Sequence, residues 1–380
     1  MRNAPPGRAL GERPVVLPAR RVAPRPGPGV TAAVAPPSLA AVAARVDARV
    51  LEVLGAELDR WRLVDDELEV PFAALRDLVA AGGKRLRPAF CHWAFVGAGG
   101  DPDDPAVVDA GAALELLHTF ALIHDDIMDG SATRRGAPAA HVCFEDRHRR
   151  RVWRGERRRF GEGVAILLGD LAFVYADVLL AGAPPAAVRV FAELRIEVNV
   201  GQYLDLVGTA RGRASEAEAR RISLFKSGKY TVERPLHLGA ALAGRADLDS
   251  ALSDYGLPLG EAFQLRDDLL GALGQGSITG KPVGEDLREG KPTVLVAVAR
   301  RRVAGADAAL LGRYGAPDIT DGEVSAIQEL LERCGAVARV EAAIEDLVAS
   351  AVGALESAPL APAARAALGD LAAFVAGRDH

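Results

Sequence analysis

The chain has few residues of the types that stabilise small secreted proteins. Its 380 residues include three cysteines, Cys91, Cys143 and Cys334, which lie far apart. An odd number of widely spaced cysteines argues against a disulfide framework and against a zinc site. Aromatic residues make up only 5% of the chain, so Ala, Val and Leu supply most of the apolar content. We expect a large core without disulfides, as in proteins of the reducing cytoplasm.

The sequence also lacks a long, uninterrupted apolar run. The most apolar window, 163–183, contains Asp170 and Asp177. Two central carboxylates argue against a membrane span, because charged groups are costly in the bilayer core. The N-terminus has no apolar stretch of the kind that a signal peptide needs. These absences predict a cytoplasmic protein without a membrane span.

A net positive charge is missing as well. The chain has 46 basic and 51 acidic residues, which gives a net charge of −5 and no indication of a nucleic-acid partner. The arginine-rich stretch 146–160 is interpreted as a solvated surface. Affinity for an anion must therefore come from local basic clusters or from metal ions.

Helical patterns occupy most of the chain. Residues 1–37 hold 9 of the 23 prolines and no hydrophobic period, which predicts a disordered tail. Ser215–Glu218 and Thr320–Glu323 both fit the capping box that begins a helix. Alternating strand patterns and internal linkers are hard to find after residue 38. We predict one all-α domain over 38–380.

The segment Asp109–Gly130 is apolar on all sides but ends in three carboxylates, Asp125, Asp126 and Asp129. On an ideal helix His118, Asp125 and Asp129 fall within about 40° of one another, and Asp126 lies to one side. Carboxylates crowded at the end of a buried helix repel each other unless a cation joins them. Oxygen ligands of this kind suit Mg²⁺, which often shares carboxylates with substrate phosphates. The alternative is a solvated helix terminus.

A second acidic pair, Asp267 and Asp268, follows Gln264 by three and four residues, so the three side chains share a helix face. Alone this pattern is weak. Together with the first carboxylates, it predicts a metal site clamped between two helices of a bundle.

Basic residues near these motifs indicate a phosphate-binding site. Arg134 and Arg135 follow the first acidic cluster, and guanidinium pairs bind phosphate oxygens in bidentate fashion. A Gly-Gly turn precedes a compact group formed by Lys84, Arg85 and Arg87. Only five of the 46 basic residues are lysine, so a retained lysine suggests a required point charge. These lysines are Lys84, Lys226, Lys229, Lys281 and Lys291.

Taken in order, these motifs resemble the trans-prenyl diphosphate synthase (polyprenyl synthetase) family from about residue 40 to about residue 350. The matching segments are GGKRLRP, LIHDDIMD, RRGAPAAH, GQYLDL, FKSGKY, FQLRDD and GKPVGEDLREGKPT. The resemblance implies an isoprenoid-synthase-type helical bundle around a central cavity, which works as a homodimer. It also implies an Mg²⁺-dependent transferase that joins isopentenyl diphosphate head-to-tail to an allylic diphosphate.

The resemblance also implies roles for individual residues. Isopentenyl diphosphate would be bound by Lys84, Arg87, His118 and Arg135. Three Mg²⁺ ions would be held by Asp125, Asp126, Asp129, Asp267 and Asp268. Arg134 would bind the allylic diphosphate. The leaving diphosphate would be supported by Lys226 and Lys281, with Gln202 and Gln264 close to the reacting groups. Lys229 matches no role.

The chain departs from the family pattern at two positions. Gly271 stands where the second motif often has a third aspartate, and Asp286 in the following loop is a candidate to help. Ser227 stands where threonine is common, and it keeps the hydroxyl group.

Product length is inferred from the residues before the first motif. The resemblance assigns it to Leu117, Phe120 and Ala121. An aromatic residue five positions before Asp125, with a small residue at the next position, implies the C20 product, geranylgeranyl diphosphate. A farnesyl (C15) or longer polyprenyl product is the alternative.

Two readings of another class stay open from the sequence. A class I terpene cyclase shares the fold and an aspartate-rich motif, but it binds one diphosphate and has no need of GGKRLRP or of the His118–Arg135 set. A non-catalytic subunit of a heteromeric synthase usually loses acidic residues from the first motif, and this chain keeps all three.

Overall fold

The computed structural model of the protein describes residues 35–134, 136–274 and 284–377. Most of the described residues are helical, as predicted. The helices are α1 Pro37–Trp61, α2 Glu69–Ala80, α3 Leu86–Gly97, α4 Pro105–Asp129, α5 Ala140–Arg150, α6 Arg157–Leu179, α7 Pro185–Arg211, α8 Glu216–Ser223, the π-helix Leu224–Glu233, α9 Arg234–Leu242, α10 Asp249–Leu273, α11 Glu285–Glu289, α12 Val294–Arg300, α13 Gly305–Leu311, α14 Asp321–Arg333, α15 Ala336–Ser357 and α16 Pro362–Ala376. Two short 3₁₀ turns, Asp66–Leu68 and Ala246–Leu248, complete the helical elements.

Strand structure within the described residues is limited to one small hairpin. Strands β1, Thr133–Arg134, and β2, Ala137–Pro138, are antiparallel, with Thr133 opposite Pro138. This hairpin turns the chain back immediately after α4. It therefore brings Arg134 to the acidic end of that helix.

Helix boundaries follow local chemistry that the sequence shows. Both predicted capping boxes form, at the start of α8 and at the start of α14. α4 ends at Gly130, whose φ of 68° lies in the left-handed region that glycine adopts readily. α14 ends just before Gly335, which has a φ of 73°.

Three apolar clusters hold the helices together. The first joins α1, α2, α4, α6 and α7 around Leu54 and Leu114. The second joins α3, α9, α10, α15 and α16 around Tyr255, and the third joins α10 to α12, α14 and α15. α10 belongs to two clusters, and α4 lies in the middle of the first. The acidic ends of both helices are therefore fixed by large amounts of buried apolar surface.

Among the described residues, one helix is long and apolar enough to cross a membrane, and it is α4 rather than the 163–183 window. In its most apolar stretch, 61% of the residues are buried inside the protein. A core helix has these properties, because apolar residues on all sides are needed when neighbours surround it. The burial agrees with the prediction of no membrane span.

The predicted tail, 1–37, falls almost entirely outside the described residues. α1 begins at Pro37, after an extended Pro36. Proline is well suited to the first helical position, because its missing N–H would have no helical partner there.

Candidate active site

The first acidic cluster lies at the C-terminal end of α4, and its three carboxylates point to different partners. Asp126 is 4% exposed and faces the hairpin. Arg134 donates from Nε to both carboxylate oxygens of Asp126, at 2.8 and 3.0 Å, and its Nη2 also contacts Asp126. The same guanidinium lies 3.7 Å from Asp125. Asp126 thus orients an arginine toward the neighbouring carboxylate.

Asp125 faces the π-helix and α7. It accepts hydrogen bonds from Lys226 Nζ at 3.2 Å and from Gln202 Nε2 at 3.0 Å. Burial alone would raise the pKa of Asp125, but the charges of Lys226, Lys291 and Arg134 outweigh it and lower that pKa to about 2. Asp125 is therefore an ionised, partly buried carboxylate at neutral pH.

Lys226 is placed by the π-helix, which touches the backbone of two neighbouring helices. A Cβ atom on Gly201 of α7 would lie 2.5 Å from Lys226 Cα, so only glycine permits this approach. Gly228 of the π-helix makes a similar close contact with Gly260 of α10. π-Helical segments are rare and occur frequently at functional sites. Here the segment holds the Lys226 ammonium 2.6 Å from Asp205 and 3.2 Å from Asp125.

Asp129, the third carboxylate of the cluster, pairs with Lys291. The ammonium of Lys291 lies 3.2 Å from Asp129, 2.8 Å from Glu289 and 3.7 Å from Asp286. Burial lowers the pKa of Lys291, but these carboxylates raise it well above its usual value, so the side chain stays charged. Sequence reasoning assigned no role to Lys291, Glu289 or Asp205, and only the scarcity of lysine pointed to the first of them.

The second acidic pair lies near the C-terminal end of α10. Asp268 is buried and accepts a hydrogen bond of 2.7 Å from Gln264 Nε2. Burial raises the pKa of Asp268 well above its usual value, and the charges of Asp286, Asp267 and Asp205 add to the effect. Carboxylates from α7, α10 and α11 therefore repel each other around one buried group.

This donor set fits a divalent cation. Among the residues that the structure describes, no three carboxylate, imidazole or thiol groups converge closely enough to hold a metal unaided. Lys226 and Lys291 lie between the carboxylates of the site. Mg²⁺ usually takes only one or two protein carboxylates and completes its shell with water and phosphate oxygens. The repulsion around Asp268 is the electrostatic situation that such a cation relieves.

The candidate isopentenyl diphosphate site lies where α3, α4 and the π-helix meet. Arg87 donates to the Thr231 hydroxyl at 2.8 Å, and its guanidinium stacks over the Tyr230 ring at 4.2 Å. His118 Nδ1 lies 3.3 Å from the Tyr230 hydroxyl. Burial raises the pKa of Tyr230 to about 12, so the phenol stays protonated. Arg87 and His118 thus share one tyrosine, which the sequence did not single out.

The compact cationic group predicted after the Gly-Gly turn does not form as a unit. Lys84 is exposed and lies 5.7 Å from the Phe374 ring. Arg85 points into the protein, where it pairs with Asp47 at 2.6 Å and with the buried Glu115. The prediction was wrong for Arg85, because a buried carboxylate on α4 requires its charge inside the fold.

Of three further predicted site residues, the structure describes one. Arg135 and Lys281 lie outside the described residues. Ser227 is half-buried in the π-helix, next to Lys226.

The residues assigned to product length lie on α4, one to two turns before the first acidic cluster. Leu117 is fully buried, whereas Phe120 and Ala121 are partly buried. The Phe120 ring is 4.9 Å from the Phe173 ring of α6 and 4.5 Å from the His124 ring. Phe120 is therefore one of a group of rings between α4 and α6.

Lys229, which matched no family role, belongs to a buried ionic network behind the site. Its ammonium lies 3.0 Å from Glu197 and 2.7 Å from Glu233, and Arg234 also binds Glu197 at 2.6 Å. Removing one member of a buried pair typically costs about 3–5 kcal/mol. The network fastens the π-helix to α7 at Glu197, two turns before Asp205, which binds Lys226.

The raised pKa of Asp268 leads to a stability prediction. The native state holds a proton on Asp268 more tightly than the unfolded state does, so this group makes stability fall as pH rises above about 4. Asp268→Asn should therefore raise the Tm of the metal-free protein at pH 8, by about 2 °C or more, with little gain at pH 4. Thermal unfolding across this pH range measures the effect.

Asp254→Asn, an exposed position on the same helix, is the control and should leave Tm unchanged at both pH values. A lower Tm for Asp268→Asn at pH 8 would contradict the repulsion inferred around Asp268.

Comparison with known proteins places this site in a family. Residues 70–331 match the family described as polyprenyl synthetase. The chain is 35% identical to the short chain isoprenyl diphosphate synthase of Methanothermobacter thermautotrophicus, over 84% of this chain and 94% of the relative. It is 34% identical to the geranylgeranyl diphosphate synthase of Mycobacterium tuberculosis, over 74% of this chain and 78% of the relative.

A solved structure agrees with the fold and the sequence match. Geranylgeranyl pyrophosphate synthase from Corynebacterium glutamicum, complexed with isoprenyl diphosphate and magnesium, superposes with a TM-score of 0.82 at 37% identity. The match covers 88% of this chain and 99% of that structure. Because the family match spans both acidic helices and the π-helix between them, the chain belongs to the polyprenyl synthetase family, whose members are prenyltransferases.

Proposed function

We propose that the protein condenses isopentenyl diphosphate with an allylic diphosphate and releases geranylgeranyl diphosphate. The observation that carries the proposal is the pairing of two acidic helix ends, on α4 and α10, with Lys226 and Lys291 among their carboxylates. A site with this many opposed charges suits a ligand that brings both phosphate oxygens and cations.

The residues that would hold Mg²⁺ are those of both acidic motifs. Asp125 and Asp129 lie on one side, and Asp267 and Asp268 lie on the other. When bound, the three Mg²⁺ ions of the proposal would supply positive charge that stabilises the departing diphosphate. Asp126 would act mainly by holding Arg134, because Nε of the guanidinium donates hydrogen bonds to both of its carboxylate oxygens. That role differs from the ligand role that the resemblance gives to Asp126.

The basic side chains would stabilise charge that grows on the leaving group. Breaking the allylic C–O bond leaves an allylic cation and a diphosphate anion. Lys226, Lys291 and Arg134 lie beside Asp125 or Asp129 and would bind the diphosphate oxygens there. Fixed cations in a buried site stabilise such an anion far more than they would in water. Lys281 would join them from outside the described residues.

The second substrate would bind at Arg87 and His118, with Lys84 and Arg135 reaching the same diphosphate. Its double bond would attack the allylic cation, and a proton would then pass to the departing diphosphate. Gln202 and Gln264, each bonded to a carboxylate of the site, would position the reacting groups. An apolar cavity would keep water from the cation.

The proposal extends to a homodimer formed through α6 and α7. Arg195 of α7 links the two helices, because it pairs with Asp177 of α6 at 2.7 Å and lies 4.9 Å from the Phe173 ring of α6. Large apolar side chains on both helices are exposed at helical spacing: Leu167, Val174 and Val178 on α6, and Ile196, Val200 and Tyr203 on α7. Leu167 is 64% exposed and Tyr203 is 67% exposed. A second copy would cover this surface, because exposed apolar patches of this kind mark association sites.

A product assay tests the proposed reaction. Purified protein would receive Mg²⁺, labelled isopentenyl diphosphate and, in separate reactions, C5, C10 or C15 allylic diphosphates. We expect a C20 prenyl diphosphate, identified by chromatography after dephosphorylation. A C15 or longer product would keep the reaction and overturn the chain length. A cyclic hydrocarbon formed without isopentenyl diphosphate would favour a terpene cyclase instead, and no turnover by folded protein would favour a non-catalytic subunit.

Product length should depend on Phe120. Phe120→Ala removes a ring from the group between α4 and α6, so we expect a longer product than wild type in the same assay. Phe160→Ala is the control, because that ring lies at the other end of α6, 5.2 Å from Trp153. An unchanged product distribution for Phe120→Ala would remove Phe120 from the account of chain length.

The dimer proposal predicts a change in mass. Wild type should elute with twice the chain mass of 39.8 kDa in light-scattering chromatography. Leu167→Glu with Val174→Glu should give the monomer, because two charges would be buried without partners. Leu63→Glu is the control, since Leu63 is exposed beyond the end of α1. A double variant that stays dimeric would show that the contact surface lies elsewhere.

A further inference from the structure

Asp286 occupies the space that a side chain at position 271 would fill. Gly271 lies four residues after Asp267 and three after Asp268, so it shares their face of α10. A Cβ atom built on Gly271 would overlap Asp286 Oδ2 and lie 2.5 Å from Asp286 Cγ. No side chain fits at 271 while the carboxylate of Asp286 stays there. The two positions are therefore alternative sources of one group.

The backbone around Asp286 is fixed by contacts outside the acidic site. α11 lies between Gly284 and Gly290, which have φ values of 68° and 72°. Leu287 is buried in the third apolar cluster, and its carbonyl accepts a hydrogen bond of 2.8 Å from Gly315 N–H. A short helix with a buried central residue and a backbone hydrogen bond to a distant loop holds its first-turn side chain in a defined place.

Asp286 lies beside charged residues that connect it to the first acidic cluster. Its Oδ1 lies 3.7 Å from the ammonium of Lys291, which also contacts Asp129 of the first acidic cluster. Asp286 thus borders both acidic sets, whereas a side chain at position 271 would start from α10. Carboxylates that border a bound cation commonly fix its ligands or its water molecules.

We propose that Asp286 supplies the third carboxylate of the second acidic set, in place of the side chain that Gly271 lacks. The ligand class is a divalent cation bound together with diphosphate. This inference rests on the proposed function, because it concerns the same site. It assigns the metal set to two elements, α10 and α11, instead of to α10 alone.

The proposal is tested by metal binding rather than by turnover. Mn²⁺ binding to the full chain would be measured by electron paramagnetic resonance, with inorganic pyrophosphate present. Asp286→Asn keeps the shape and removes the charge, and it should weaken Mn²⁺ binding by about ten-fold or more at the weakest site. Asp321→Asn is the control, since Asp321 is exposed and pairs with Arg288 of α11. It should bind Mn²⁺ like wild type.

A reciprocal exchange makes the test specific for this geometry. Gly271→Asp alone should weaken Mn²⁺ binding and lower Tm, because its new carboxylate collides with that of Asp286. Adding Asp286→Gly to Gly271→Asp should restore Mn²⁺ affinity to within about three-fold of wild type, an energy difference below 1 kcal/mol. The carboxylate would then come from α10, at the same place.

The outcomes separate the inference from the proposed function. Wild-type affinity in Asp286→Asn, or no recovery in the exchanged double variant relative to Gly271→Asp, would overturn the role of Asp286. The proposed function would survive either result, because the remaining carboxylates would still bind the metal. Absence of Mn²⁺ binding in wild type with pyrophosphate would overturn the proposed function as well.

Discussion

Repulsion between buried carboxylates is the constraint on which this site depends. Asp125, Asp205 and Asp268 are largely removed from water, and each has another acidic group nearby. Such an arrangement is unfavourable unless positive charge compensates it. Lys226 and Lys291 provide part of this charge by lying between the carboxylates. The remaining positive charge would come from metal cations bound together with a diphosphate.

The scaffold holds these opposed charges at fixed distances. Gly201 and Gly260 allow the π-helix to touch the backbone of α7 and α10, so Lys226 enters the site at a defined depth. Behind it, Lys229 and its carboxylate partners tie the π-helix in place. A rigid arrangement matters for the proposed chemistry, because stabilisation of a leaving anion is strongest when the charges need no reorganisation.

The charged site lowers the stability of the metal-free protein, whereas the apolar clusters raise it. Burial and neighbouring carboxylates disfavour ionisation of Asp268, so ionising this group in the metal-free protein lowers stability. The three apolar clusters that fix α4 and α10 offset this cost with buried Leu, Val and Ala side chains. Function at this site therefore depends on the apolar packing of the helices that carry its charged residues.

Much of the fold and most of the charged site could be predicted from the sequence, because the signals were local. Helical periodicity, the two capping boxes and the glycine after Asp129 are fixed by neighbours in the chain. The acidic motifs were visible as clusters of like charge on apolar helices. The order of the motifs is itself characteristic of the family.

Other features depended on contacts between residues distant in the chain. The sequence placed Arg85 with Lys84 and Arg87, but the buried Glu115 draws its guanidinium into the protein. It gave no role to Tyr230 or Lys291, whose partners lie on other helices. By itself the sequence determined helices, charges and motif order, since these follow from neighbouring residues. Only the tertiary structure decided which charges meet, such as Asp286 with the space left by Gly271, because that depends on how helices far apart in the chain pack together.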